Sequence, residues 1–343
     1  MLRTPSRPTA VASGWRRTPY PGRWRSDDNH SGPCAIRSDG TTVISYYELI
    51  GGERVDFWSV ALPGLSAGAV YGLLAVGLVA VYTATRVINF FQGLLAALAV
   101  YVFVALDGSG VSVALAVTIT IVLIALVSGG AQALVVARAE KHGELNAVLA
   151  TVALMVIGAA AIRLIWGPRA PVFHEFLPSD SFEFAGSRVN TMHVIVVAVA
   201  LAAAGLFAAL MRYTSLGLRI RGAADNPVAS QLGGSRPGVI AFSVWIASGA
   251  LAAISGLLVG HLLSPSPEMA MGVLIKGFTA AAIGGFASPG LALTGALALG
   301  GIEGFVAYYL GTAVQDAVPL IVLLALLIVR PSGLARAKVV RAA

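Results

Sequence analysis

The chain has 343 residues, 57% of them hydrophobic and 11% charged, where an ordinary soluble domain carries roughly 25% charged residues; a soluble globular protein is excluded. The net charge of +7 comes from basic residues spread through short loops rather than gathered on one folded face, which argues against nucleic acid as a partner. The single cysteine, Cys34, leaves no intramolecular disulfide, cysteine-based zinc site or iron–sulfur ligand set.

In chain order, residues 1–54 form a regime of their own, with eight Arg, no Lys and five acidic residues among many Pro, Ser and Gly. Such a segment is expected to be disordered, and it lacks the apolar stretch of a secretory signal. It reads as a regulatory tail, a solvated extension without function, or the product of a wrongly assigned start codon. The third reading is favoured: Val55 stands just before the first apolar run, and Gly51-Gly52-Glu53 is encodable as a purine-rich ribosome-binding site.

From Val55 onward, apolar segments fall near 58–82, 87–106, 112–137, 145–166, 190–211, 238–262, 272–287, 290–311 and 317–330. A bilayer core needs about 20 apolar residues per helix, so residues 55–343 are expected to be an all-α, polytopic membrane helix bundle of eight or nine spans. The backbone is expected to break or re-enter around Asn89 and around Gly284-Gly285, where polar or flexible residues interrupt the apolar pattern. Irregular backbone at membrane depth survives only when buried in protein or lining a cavity.

The loop 212–236 carries Arg212, Arg219, Arg221 and Arg236 against Asp225, and the tail carries Arg330, Arg336, Lys338 and Arg341. Both are expected on the cytoplasmic side by the positive-inside rule, and the acidic loop 167–189 outside. With nine crossings Val55 then lies outside.

Gly64, Gly68 and Gly72 recur every four residues on one helical face, as do Gly256 and Gly260, and Gly300 and Gly304. That spacing lets helix backbones approach closely. In Arg86-Val-Ile-Asn-Phe-Phe-Gln-Gly93, Asn89 and Gln92 stand between two apolar runs, where they can bond to neighbouring helices or line a polar path. Glu303 has 26 uncharged residues before it and 12 after it; a carboxylate so placed faces the bundle, a cavity or a partner subunit. Lys276 and Asp316 lie nearer predicted span ends, where side chains snorkel. His193 and His261 have no metal-ligand spacing, and no phosphate loop or hydrolase motif occurs. In the basic loop, Asp225-Asn226-Pro227 reads as a helix start and Gly233-Gly234 as its stop, a short helix suited to docking a soluble partner.

That loop, the segment RVINFFQG, and the run KGFTAAAIGGFASPGLALTGALALGGIEGF followed by RPSGL resemble the LivH-type permeases of branched-chain amino acid ABC importers, over roughly residues 62–334. The resemblance implies a permease subunit in the plasma (inner) membrane of a bacterium. Its partners would be a second permease, two ABC ATPase subunits that bind the ATP, and an extracytoplasmic substrate-binding protein; the chain itself would hold no cofactor and catalyse no reaction. Gly222, Ala223, Ala224, Asp225 and Gly233 match the family's ATPase coupling loop. Asn89 matches the Asn of the family's I-N-F-A-H-G segment, whereas Phe91 and Gln92 stand where Ala and His are usual. Glu303 matches an acidic family position, and Lys276, Gly284, Gly285 and Gly290 match the family's K-A-F-T region. Asn89, Gln92 and Glu303 are the candidate pathway residues. The competing expectation is an ion-coupled secondary transporter of small amino acids or amides, with Asn89 and Glu303 in broken helices.

Overall fold

The computed structural model describes residues 57–167, 172–184, 187–225, 227–263, 265–266, 269–330 and 333. The Arg-rich extension and Val55 lie outside the described residues. Helix α1 spans Phe57–Thr85, α2 Phe91–Asp107, α3 Val113–Glu140 and α4 Glu144–Trp166. A two-stranded antiparallel hairpin follows, β1 Ser181–Phe184 and β2 Ser187–Asn190. Then come α5 Thr191–Tyr213, α6 Ser215–Asp225, α7 Pro227–Leu232 and α8 Pro237–Leu262. Helices α9 Met269–Ile283, α10 Pro289–Leu310, α11 Thr312–Gln315 and α12 Val318–Val329 complete the described elements.

Seven helical segments among the described residues are long and apolar enough to cross a bilayer, with α11 and α12 counted together, and two shorter apolar helices, α2 and α9, accompany them. The 17 residues of α2 rise about 25 Å, and the extended stretch Val87–Asn89 before it completes the passage. The 15 residues of α9 are completed by the turn at Gly284-Gly285. The fold is therefore an all-α polytopic bundle, and its seven spans with two shorter apolar helices among the described residues are roughly consistent with the expected eight or nine.

Charge sorts the two ends of the bundle. One end gathers Arg86, Arg138, Lys141, Arg212, Arg219, Arg221, Arg236 and Arg330, and Gly333 packs there against Gly285 and the Ala282 carbonyl. The other end carries Asp107, Glu175, Asp180, Glu183 and Asp316 with Arg163 and Arg188, while Glu140, Glu144 and Asp225 lie at the first, so the sorting is an excess at each end rather than complete. These are called the basic and the acidic end below.

Helix α1 runs through the middle, buried along most of its length, against α10, α8, α9 and α5. Glycine makes its closest contact possible. A Cβ on Gly64 would stand 2.6 Å from the Gly300 carbonyl oxygen, and one on Gly68 2.6 Å from that of Ala296; the α1 and α10 backbones touch, as small-residue spacing allows. Gly256 of α8 lies against the Ala96 carbonyl of α2 in the same way, while Gly72 and Gly260 face side chains, Leu293 and the Phe173 ring.

Both expected breaks are present. At the first, Arg86 closes α1 with φ of 59°, and Val87–Asn89 run extended before α2 begins. The backbone groups freed there face α4: Phe90 N donates to Thr151 Oγ1 at 3.2 Å, and that hydroxyl's one proton is shared between the Val148 carbonyl at 2.8 Å and the Ile88 carbonyl at 3.2 Å. Non-helical backbone inside the bundle is thus satisfied by protein, as a dry environment demands. At the second, the chain leaves α9 with Gly285 at φ 62°. Phe286 N bonds back to the Ala281 carbonyl and Gly285 N to that of Ala282, the hydrogen-bond pair of a Schellman stop. Ser288 Oγ then caps α10 by accepting from Leu291 N at 3.3 Å.

Candidate functional site: an acidic-end cavity and a basic-end docking element

A cavity of about 730 Å³ opens at the acidic end between α1, α5, α8, α9, α10 and α11, within the 300–1,000 Å³ typical of small-molecule sites. Its walls are largely aliphatic, from Val60, Pro63, Ala67, Val259 and Val273, and Gly64, Gly300 and Gly304 keep its α1–α10 wall thin.

One charged group lies among these walls. Lys276 Nζ lies 3.1 Å from Glu303 Oε2 and 3.6 Å from Asp316 Oδ1, and donates to the Tyr71 hydroxyl at 3.4 Å. Burial differs sharply along this row. The Glu303 side chain is 1% exposed, Lys276 13% and Asp316 81%. Glu303 sits behind Lys276 rather than on the cavity wall, and its second oxygen, Oε1, is buried with no hydrogen-bond partner. Lys276 does not reach outward along the helix, as its place near a span end suggested. It turns inward because a carboxylate buried this deeply is costly unless paired. His193 also lines the cavity, and behind the wall its Nδ1 lies 2.9 Å from Ser66 Oγ, which is 2.7 Å from the Pro63 carbonyl.

Asn89 and Gln92 lie away from this cavity, fully buried where α2 begins. Gln92 Oε1 accepts from Asn89 Nδ2 at 3.2 Å and from Ser248 Oγ at 2.9 Å, while its Nε2 donates to the Ser248 carbonyl at 3.0 Å. The three expected pathway residues are therefore not brought together: Asn89 and Gln92 tie the α1–α2 break to α8, and Glu303 backs Lys276 behind the cavity wall. Lys276, Asp316, Tyr71 and His193 are the cavity residues that sequence reasoning passed over. A lone cation preceding a lone anion across 26 uncharged residues was the available signal for the first. Among the described residues, no group of three His, Cys, Asp or Glu side chains comes together to hold a metal ion.

At the basic end, residues 212–236 fold into two short helices, α6 and α7. Gly222 is exposed on α6, and Ala223, Ala224 and Asp225 occupy its last turn. Asn226 lies outside the described residues, so its capping role is not placed. The expected helix start at Pro227 and stop at Gly233-Gly234 are both found. The stop is made by Gly234, at φ 83°, with Ser235 N bonded to the Ser230 carbonyl and Gly234 N to that of Gln231.

The described residues thus form a glycine-packed membrane bundle, interrupted at two depths and carrying paired short helices at its basic end, and similarity to known proteins places it among membrane permease components. The chain belongs to the family described as branched-chain amino acid transport system / permease component, whose model matches residues 60–328. Over 287 residues it is 28% identical to the high-affinity branched-chain amino acid transport system permease protein LivH of Salmonella typhimurium, covering 79% of this chain and 92% of that one. To LivH of Escherichia coli it is 26% identical over 291 residues, with the same coverage. The corresponding permease protein BraD of Pseudomonas aeruginosa is 26% identical over 289 residues, covering 79% and 93%. Among solved structures, PsaBC from Streptococcus pneumoniae in complex with Fab superposes with a TM-score of 0.45 at 11% identity, over 81% of this chain and 94% of that one. The relatives are named as permease proteins, transport subunits rather than enzymes.

Proposed function

We propose that this chain is the permease subunit of an ABC importer that moves branched-chain or other hydrophobic amino acids into a bacterium across its plasma membrane. The observation that carries the reading is the family match across nearly the whole described bundle. The basic end faces the cytoplasm by the positive-inside rule, which sets α6 and α7 where a soluble ATPase can grip them. Gly222, Ala223, Ala224, Asp225 and Gly233 form the coupling element. Closure of two partner ATPases on ATP pulls this element, tilts the bundle against a second permease, and exposes the substrate path to alternate sides. The acidic end faces outward, toward an extracytoplasmic substrate-binding protein that delivers the amino acid.

The test is uptake of labelled leucine, isoleucine and valine into proteoliposomes carrying the complete complex. Uptake that requires both ATP on the α6–α7 side and loaded binding protein supports the proposal. Uptake driven by an ion gradient without ATP contradicts it and favours the secondary transporter.

A further inference from the structure

The aliphatic cavity at the acidic end holds a row of alternating charge: Glu303 buried, Lys276 mostly buried, Asp316 in the open. The two carboxylates do not hold the ammonium equally. Glu303 Oε2 is within hydrogen-bond distance of Lys276 Nζ at 3.1 Å, whereas Asp316 Oδ1 at 3.6 Å lies beyond the 2.7–2.9 Å of a charge-assisted bond. The outer half of the row is loose, and the cavity opens onto it.

We propose that this cavity is a zwitterion site of the permease itself, in which Lys276 receives the carboxylate of a free amino acid and Asp316 its ammonium. This rests on the transport reading above and assigns its substrate a place in this chain. The exposed Asp316 side chain swings outward to admit the zwitterion, which replaces one loose ion pair by two, and every charge keeps an opposite neighbour. A carboxylate alone sets its charge between those of Glu303 and Asp316, and an amine alone sets its own against Lys276; like charges brought together in a largely apolar site are costly. Glu303 and Tyr71 act as positioning residues, holding Nζ at the cavity wall. Val60, Pro63, Ala67, Val259 and Val273 supply the apolar surface an aliphatic side chain needs, so the class of ligand is a neutral, zwitterionic amino acid with an aliphatic side chain.

Gly272 provides the probe. It lines the cavity, a Cβ there meets nothing within 4 Å, and it lies one helical turn before Lys276 on the same face of α9. In membranes carrying the complete complex, with Cys34→Ser removing the single native thiol, the alkylation rate of Gly272→Cys reads occupancy. Leucine, isoleucine or valine at millimolar concentration is expected to slow alkylation at least about fivefold. 4-Methylpentanoate, which lacks the amine, and isoamylamine, which lacks the carboxylate, are expected to leave it unchanged. Protection is expected to vanish with Lys276→Met and with Asp316→Asn, and to persist with Lys276→Arg. Asp316→Asn changes an exposed side chain and decides the matter if Lys276→Met fails to accumulate. An alkylation rate indifferent to all three amino acids, equal protection by 4-methylpentanoate, or protection that survives Asp316→Asn overturns the site. ATP-driven uptake in the same membranes separates the two failures: uptake without protection sinks the site alone, and no ATP-driven uptake sinks the transport reading beneath it.

Discussion

At Gly68 a single methyl group is enough to force two helices apart, because its Cβ would lie 2.6 Å from the Ala296 carbonyl oxygen on α10. Gly301, five residues further along α10, has nothing among the described residues within 4 Å of an added Cβ. Gly68→Ala is therefore expected to destabilise the detergent-solubilised protein by about 1–3 kcal/mol through overpacking, with Gly301→Ala close to neutral. Thermal unfolding of the two variants side by side checks this, and equal melting temperatures would show that the α1–α10 contact is not close. Gln92 makes the opposite kind of contribution. Gln92→Leu leaves the buried Ser248 hydroxyl and the Asn89 amide without their shared acceptor, an expected loss of about 1–3 kcal/mol. Sequence showed that Asn89 and Gln92 were polar groups inside an apolar stretch. It did not show that they bond to one another and to Ser248, a residue 156 positions from Gln92, because that partner is fixed only by tertiary packing.

Among the elements, α6 and α7 carry the account's mechanical claim. A variant with both Asp225 and Gly233 replaced is expected to insert and assemble normally yet lose coupling between ATP hydrolysis and uptake, measured as ATPase activity against transport in proteoliposomes; normal uptake contradicts the docking assignment. Gly234 is a separate case. At φ 83° it occupies a backbone region that costs an L-residue roughly 1 kcal/mol or more, so Gly234→Ala is expected to loosen the α7 stop where Gly233→Ala does not. The start and stop of α7 were legible from Pro227 and the glycine pair, as were the two backbone breaks. Helix α6 was not, because its sequence carries no long apolar run; the one signal was Thr214, whose Oγ1 caps it by accepting from Gly217 N at 3.2 Å. The β1–β2 hairpin was hidden for a related reason: two four-residue strands are too short for alternation to stand out.

For the molecule as a whole, the long uncharged runs made the bundle legible, since each exceeds what a soluble helix needs and matches what a bilayer demands. The cavity was not legible. It is built from six helices spread along the chain, and Lys276, read as a snorkelling group, pairs inward with a carboxylate 27 residues on. Sorting charge to the two ends gives a topology that labelling can test. In a Cys34→Ser background, a cysteine at Ser109, exposed at the acidic end, is expected to react with a membrane-impermeant maleimide on intact cells stripped of their outer layers. One at His142, exposed at the basic end, is expected to react only after the membrane is opened. The central claim, that this permease component works within an ATP-driven importer, is met most directly by affinity purification of the tagged protein from its own membrane, with mass spectrometry of the chains that accompany it. The account predicts two ABC ATPase subunits and a second permease; a solitary chain that still transports amino acids in vesicles without ATP would contradict it.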